Sequence, residues 1–230
     1  GTIEGSGTLK LVDDASFPAG DYEDFFPDAN CSIGGGLEYE NNDVGNDVTV
    51  LAEGFTNLKR LILSGNGKKV MSNATSVNIC ENLELTGGDF EMANFSELRV
   101  KGNVIKNGGS SFNAEFTDAT IVMDGTSNQT ISGQFTGLEA FNVLEVNKSN
   151  GRLSVIDGSN NDIEVSGELK FTNGLIDTDI DNSLIIQNTA VLSGFKSSSH
   201  VNGPLIRNLN ASTASEFDPF PVGQSGRYGL

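Results

Sequence analysis

The sequence lacks several residue types on which common functional classes depend. It has no tryptophan, one histidine, two cysteines and five prolines among 230 residues. The single histidine, His200, cannot by itself build a metal site made of several histidines. It is also the one residue that could serve as the base of a Ser-His-Asp triad. We expect it to be a surface or structural residue. Two cysteines also exclude a disulfide scaffold as the source of stability.

Positive charge and long apolar segments are scarce as well. The chain has 14 basic against 31 acidic residues, a formal net charge of −17. Such a field repels phosphate backbones and anionic lipid surfaces, which argues against nucleic acid and membranes as partners. No apolar run approaches the roughly 20 residues of a membrane span. The first residues do not resemble a signal peptide, so we expect a removed leader or an internal piece of a longer chain.

What the sequence has instead is a five-residue pattern that recurs along its length. Apolar residues fill the first and third positions, a polar residue fills the fourth, and Gly or Asn usually fills the fifth. The seven best copies are LILSG (61–65), LELTG (83–87), LRVKG (98–102), IVMDG (121–125), LEVNK (144–148), LKFTN (169–173) and LIIQN (184–188). Alternation at a period of two residues predicts strands with one buried face.

The spacing of these copies predicts the architecture. They start 22, 15, 23, 23, 25 and 15 residues apart, a mean of about 20, and self-similarity at that period is typical of a solenoid. The frame of leucine-rich repeats is absent. The sequence therefore predicts an all-β fold, a parallel β-helix over residues 1–200, with 201–230 as its C-terminal edge or the start of a following segment. The two short intervals indicate smaller coils or strands from a different face.

The pattern also predicts what individual positions do. Gly or Asn at the fifth position suggests a left-handed corner after each strand, and Lys148 at that position should weaken its corner. We expect Leu98→Asp to cost more than about 3 kcal/mol, because Leu98 points inward. Arg99→Asp should cost almost nothing, because Arg99 points outward.

The C-terminal half carries a more specific pattern. Residues 167–228 contain GELKFTNGLID, then SSSHVNGPLIR, then FPVGQSGRY, and residues 127–151 read SNQTISGQFTGLEAFNVLEVNKSNG. In this order they resemble the repeat units of very long surface proteins of Bacteroidota. Those units look like G-L-L-T-N-G-I-I-D, S-x-V-x-G-P-L-x-R and F-P-V-G-x-x-G-R-Y. Residues 5–25 resemble the N-terminal portion of the same unit.

The resemblance implies export and not a reaction. Such proteins are exported, often by the type IX secretion machinery, and act at the cell surface or outside it as adhesins or filaments, some linked to gliding. It implies a non-enzymatic stalk or adhesive segment whose partners are other segments of the same long chain, extracellular polysaccharide or cell surfaces. The family offers no catalytic motif to carry over.

Acidic side chains are the remaining candidates for chemistry. Asp177, Asp179 and Asp181 alternate in LIDTDIDNS, which places three carboxylates on one face, where they could hold a calcium ion or form a solvated acidic turn. The pairs Asp13/Asp14 and Glu23/Asp24 are further candidates. Two alternative functions follow: a carbohydrate-active β-helix, lyase or hydrolase, with clustered carboxylates, and a calcium-stabilised binding module whose melting temperature falls in EDTA.

Two further features allow two interpretations each. Cys31 and Cys80 are 49 residues apart, about two coils or roughly 10 Å, and a disulfide tolerates a Cα separation of about 7 Å. We therefore expect two buried free thiols. The stretch YEDFFPD (22–28) either forms a platform for carbohydrate or packs against the first coil, and the second interpretation is the simpler.

Overall fold

The computed structural model describes residues 2–32, 34–155, 161–209, 220–224 and 227–228. The predicted fold class is confirmed: the chain is an all-β solenoid of parallel sheets, with about seven turns of about 23 residues each. A 3₁₀ turn at Gly137–Glu139 is the helical element of the described residues. None of these residues forms a helix with the length and apolarity to cross a bilayer.

The part of the chain that the structure describes forms twenty-four short strands. The first twelve are β1 Thr8–Val12, β2 Gly36–Glu40, β3 Val48–Val50, β4 Asn57–Leu58, β5 Leu61–Ser64, β6 Lys69–Met71, β7 Ser76–Ile79, β8 Leu83–Leu85, β9 Gly88–Glu91, β10 Glu97–Val100, β11 Val104–Lys106 and β12 Ser110–Asn113. The others are β13 Thr120–Met123, β14 Gln129–Ser132, β15 Phe141–Asn147, β16 Leu153–Ser154, β17 Ile163–Asn173, β18 Ile176–Asp177, β19 Leu184–Ile186, β20 Val191–Ser193, β21 Val201–Asn202, β22 Leu205–Arg207, β23 Val222–Gln224 and β24 Arg227–Tyr228.

Three sheets run along the solenoid. Sheet 1 has eleven strands in the order β1-β2-β5-β8-β11-β14-β16-β18-β21-β23-β24. Sheet 2 has the order β4-β7-β10-β13-β15-β17-β19-β22, with β20 also paired to β17, and sheet 3 is β3-β6-β9-β12. Neighbouring strands are parallel, except for the antiparallel pair β23 and β24. Strands β21, β22 and β23 pair with the turns before them and so extend sheets 1 and 2 beyond residue 200.

The core is the stack of inward side chains that the alternation predicts. Leu98 pairs with Ile121 in the next turn, and Ile121 pairs with Leu144. All fourteen inward residues of the seven copies are buried. Burying an aliphatic side chain stabilises the fold by roughly 1.5–3 kcal/mol, and each turn can bury its own only against a neighbour.

The seven copies do not form one column, however. LILSG and LELTG belong to sheet 1, as β5 and β8, whereas LRVKG, IVMDG, LEVNK and LKFTN belong to sheet 2. The 15-residue step from Leu83 to Leu98 is therefore the path from sheet 1 through sheet 3 to sheet 2, and not a smaller coil. Of the two explanations for the short intervals, the change of face is the one that holds here.

The fifth-position glycines mark places where turns approach closely. Of the four, Gly65 has a positive φ, of 77°, as expected for a left-handed corner, and Gly87, Gly102 and Gly125 do not. A Cβ on Gly87 would lie 2.6 Å from the carbonyl oxygen of Gly65 in the turn below. A Cβ on Gly102 would collide with the backbone of Glu81 in the same way. The prediction of left-handed corners is thus wrong for most copies, and glycine is needed there for space.

Left-handed backbone occurs instead at non-glycine residues on another corner. Ala74, Phe95 and Asp118 have φ of 54°, 57° and 54°. Each lies two residues before a strand of sheet 2, namely β7, β10 and β13, so the same corner repeats in three successive turns. Aspartate is among the non-glycine residues enriched in this conformation, but alanine and phenylalanine are not, so the residue types of Ala74 and Phe95 do not predict it.

Asparagine side chains link successive turns at the entrance to sheet 1. The Oδ1 of Asn82 accepts the backbone N–H of Asn103 at 2.9 Å, and the Oδ1 of Asn103 accepts that of Thr130 at 2.8 Å. The Oδ1 of Asn128 accepts the N–H of Arg152 at 3.1 Å in the next turn. This ladder provides acceptors for backbone N–H groups that the strands leave unpaired. Backbone N–H groups away from water need such partners, because an unpaired one costs free energy.

Candidate functional site

The predicted calcium residues are engaged with other protein groups. Asp177 is in β18 on the outer face of sheet 1, where its Oδ1 accepts hydrogen bonds of 2.7 Å from Arg152 and Asn202. The Oδ1 of Asp179 accepts the N–H of Asp181 and the amide of Asn182, both at 2.9 Å. In the described part of the chain, no group of three or more His, Cys, Asp and Glu side chains could hold a metal ion. Calcium at Asp177, Asp179 and Asp181 stays a prediction from sequence.

His200 and the two cysteines are structural. His200 is 1% exposed, next to β21, with its Nδ1 3.4 Å from the carbonyl oxygen of Lys196. Cys31 and Cys80 form a disulfide with a Cα separation of 5.5 Å, so the expectation of free thiols is wrong. The reason is that Cys31 belongs to no coil. It lies in the loop between β1 and β2, which folds back along the flank, and the count of two coils therefore does not apply.

Two buried lysines are the features that the sequence reasoning missed. The ammonium of Lys148 donates to the carbonyls of Gly125 and Ser127, both at 2.8 Å, and to the side chain of Gln129 at 2.7 Å. Lys148 is 1% exposed. It holds the corner that the sequence pattern expected it to weaken, because its side chain points inward and satisfies three acceptors.

Lys69 does the same at the corner between sheets 1 and 3. It is fully buried and donates to the carbonyls of Ser64 at 2.9 Å and Gly87 at 2.7 Å. Burial lowers the pKa of Lys69 and of Lys148 to about 8 in both cases, since removal from water disfavours the charged amine. The available clues were a lysine at the first position of a strand, as at Lys69, and a lysine in place of a corner glycine, as at Lys148.

A polar column follows the outer face of sheet 2. Successive turns place at the same register Asn57, Asn78, Arg99, Val122, Glu145, Lys170 and Ser193, and all of these except the buried Val122 are polar. Lys170 pairs with Glu145 at 3.0 Å, and Thr172 donates to Glu145 at 2.7 Å. Although burial alone opposes its charge, these two contacts hold the pKa of Glu145 below its ordinary value. The charges of the column are paired: Lys170 with Glu145 inside it, and Arg99 with Glu97 and Asp124 beside it.

The aromatic stretch packs on the first turns and leaves one groove open. Phe25 is buried against Gly35, as expected if the stretch YEDFFPD packs against the first coil. Tyr22, Phe26 and Phe55 are half-buried and line a groove of about 380 Å³ with Asp21 and Glu23 at its rim. The ring centroids of Phe26 and Phe55 are 4.3 Å apart, and those of Tyr22 and Phe26 are 6.2 Å apart.

An acidic cleft lies beside this groove. Asp13 and Asp14, one of the acidic pairs noted in the sequence, line a cleft of about 520 Å³ together with Asp43 and Asp47. The adjoining hollow adds Glu53, two residues before Phe55. The other pair separates: Glu23 lies at the aromatic groove, whereas Asp24 is exposed and does not line it.

Comparisons with protein-family models, with curated proteins and with solved structures find no match to this chain.

Proposed function

We propose that this chain is a non-enzymatic structural and adhesive segment of a large exported protein, displayed at the cell surface or released from it. The observation that supports this most directly is the unbroken succession of parallel pairs along sheet 1 from β1 to β23. Each turn is hydrogen-bonded to the turn before and the turn after it. A fold of this kind becomes longer when turns are added, while its cross-section stays nearly the same.

The way neighbouring turns are joined favours a load-bearing role. Backbone ladders in three sheets, the asparagine ladder and the buried lysines all connect one turn to the next. A force along the solenoid is therefore shared by many bonds at every level. Such a stack suits a stalk that holds other parts of a long chain away from the cell.

The outer faces favour contact with large, flat partners. Arg99, Glu145 and Lys170 are held by neighbours and present a fixed polar surface. Polysaccharides and cell surfaces are large enough to contact such a surface over several turns. The export route, type IX secretion, and the link to gliding are part of the proposal through the resemblance of residues 127–151 and 167–228 alone.

A carbohydrate-active β-helix remains the competing function. It requires carboxylates that converge on one bond, with a base beside them. Asp177 and Arg152 bring one carboxylate and one basic side chain together, as an ion pair at 2.7 Å. They are already paired to each other, which is why we favour adhesion.

The test is retention of protein-coated beads on insoluble polysaccharides and on fixed bacterial cells. Beads coated with a globular protein of similar negative charge are the control, since charge alone should give no retention. We expect retention of the solenoid beads and no soluble sugar in the wash. A failure to bind any of the surfaces overturns the adhesive role. Release of oligosaccharides from polygalacturonate or another acidic glycan establishes the enzymatic alternative instead.

A further inference from the structure

The aromatic groove has the features of a built binding surface. Tyr22, Phe26 and Phe55 form an apolar strip in which the ring planes of Tyr22 and Phe26 are inclined by 29°, those of Phe26 and Phe55 by 44° and those of Tyr22 and Phe55 by 67°. The hydroxyl of Tyr22 donates to the carbonyl of Pro18 at 2.6 Å, which fixes the direction of that ring. Such a curved aromatic wall can hold the flat apolar face of a pyranose ring against one of its rings and the edge of the sugar against the next, because sugar C–H groups lie favourably against the negative face of an aromatic ring.

The groove is also held in place before any ligand arrives. Phe25 is buried beneath it, and the N–H of Ile3 donates to the carbonyl of Asp21 at 2.7 Å. The disulfide between Cys31 and Cys80 ties the loop that carries these rings to the turn containing β7. A site held in this way loses little conformational entropy on binding.

Charge narrows the class of ligand. Asp21 and Glu23 are exposed at the rim of the groove, and Asp13, Asp14 and Glu53 line the hollow on the other side of the segment that carries Phe55. Carboxylates at both sides disfavour uronic acids and sulfated sugars. They favour a ligand with protonated amines, which carboxylates and aromatic faces both attract.

We propose that this groove binds the amine-bearing sugar units of a hexosamine polymer. One sugar ring stacks on the strip formed by Tyr22, Phe26 and Phe55, and its ammonium group faces Asp21 and Glu23. The next amine along the polymer reaches the acidic cleft. The inference rests on the proposed adhesive function, for which it names a ligand class.

The experiment measures binding of three tetrasaccharides to the full chain by titration calorimetry at low salt: tetraglucosamine, its N-acetylated form and tetragalacturonate. We expect tetraglucosamine to bind at least tenfold more tightly than the N-acetylated form, and tetragalacturonate to show no binding. Affinity for tetraglucosamine should fall as salt is raised. Equal binding of all three sugars, or none by tetraglucosamine, overturns the inference.

Matched variants locate the site. Phe55→Ala should weaken the binding of tetraglucosamine at least tenfold, whereas Phe95→Ala should leave it unchanged, since Phe95 is 62% exposed, lies two turns further along the same corner and does not line the groove. Glu23→Gln changes an exposed residue and keeps the fold. It should weaken tetraglucosamine and leave the N-acetylated form unaffected. Unchanged affinity in both Phe55→Ala and Glu23→Gln places any binding elsewhere and refutes the groove.

Two outcomes separate this inference from the proposed function. Retention of beads on a polysaccharide without amines, combined with no binding of tetraglucosamine, leaves the adhesive function intact and removes the groove as its site. Tighter binding of an oligolysine peptide than of tetraglucosamine identifies the groove as a peptide site and overturns the sugar assignment.

Discussion

Lys148 shows how one residue can hold a corner of the solenoid. Its ammonium group donates to three acceptors at distances of 2.7 to 2.8 Å: the carbonyls of Gly125 and Ser127, and the Oε1 of Gln129, which also accepts the N–H of Gly125. Leaving a buried acceptor unsatisfied costs roughly 1–3 kcal/mol. The gain is partly offset by the burial of the charge itself, which lowers the pKa to about 8.

We expect Lys148→Met to lower the free energy of unfolding by about 2 kcal/mol at pH 7, measured by urea denaturation. Above pH 8 the folded protein releases this proton, while the unfolded chain keeps it up to its ordinary pKa near 10.5. The wild type therefore gains stability relative to the variant as pH rises, by about 1–2 kcal/mol between pH 7.5 and 9.5. A difference that shrinks with pH would contradict the direction of this pKa.

The control is Lys170→Met on the outer face. Lys170 is half-exposed and pairs with Glu145, so its removal should cost less than about 1 kcal/mol.

Arg99 shows that outward residues of the solenoid are not free surface. Its guanidinium bonds Asp124 at 3.0 and 3.2 Å and Glu97 at 3.3 Å. Arg99→Asp would place a third carboxylate beside these two, so we now expect a loss of about 1–2 kcal/mol where the sequence alone suggested almost none. Leu98→Asp should still cost more than about 3 kcal/mol.

Urea denaturation of Leu98→Asp, Arg99→Asp and Arg99→Gln separates the contributions. Arg99→Gln removes the ion pairs without adding charge and should lie between the wild type and Arg99→Asp. Equal losses for Leu98→Asp and Arg99→Asp would be incompatible with the register of β10.

At the scale of elements, the loop between β1 and β2 is the part of the N-terminal turns that the disulfide controls. Cys31 and Cys80 join this loop to the end of β7, and Lys101 donates to the carbonyl of Ala29 at 3.2 Å nearby. The core strands on either side are paired independently of this bond. We therefore expect the disulfide to stabilise the loop between β1 and β2 and to have little effect on the pairing of the core strands.

We expect a thiol count of zero in the unreduced, denatured protein. Reduction, or Cys31→Ser with Cys80→Ser, should make the described residues between 13 and 35 sensitive to limited proteolysis and leave the described strands from β2 to β15 resistant. Phe55→Ala treated in the same way is the comparison for damage to the aromatic packing alone. Two titratable thiols in the untreated protein, or rapid cleavage throughout the reduced chain, would contradict this arrangement.

At the scale of the whole molecule, stability depends on how many neighbours a turn has. Leu144 is fully buried between β13 and β17, whereas Leu205 in β22 is half-buried and pairs with β19. A solenoid behaves approximately as a line of units joined by nearest-neighbour contacts. Substitutions in its middle should therefore cost more than those near the last described turn.

We expect Leu144→Ala to lower the free energy of unfolding by about 2–5 kcal/mol, and Leu205→Ala by less than half as much. Hydrogen exchange should show loss of protection in several turns around β15 in the first variant and near β22 in the second. Equal, global loss of protection in both variants would show that the chain unfolds as one unit.

The sequence by itself determined the class of fold. It also determined which side chains of each strand point into the core and which point outward. Alternation at a period of two fixes which residues face inward, as at Leu98 and Ile121, because burial of a strand depends on its own few residues. Recurrence of that pattern then requires a stack, since no single turn can cover its own apolar side.

Tertiary structure decided how the turns meet. Loops of unequal length assign LELTG to one sheet and LRVKG to another, and a returning loop brings Cys31 to Cys80 across 49 residues. The reason for glycine at Gly102, the carbonyls around Lys148 and the groove at Phe55 all depend on atoms contributed by other turns. Contacts between segments distant in the sequence leave no local pattern, so these features emerge only once the chain is wound.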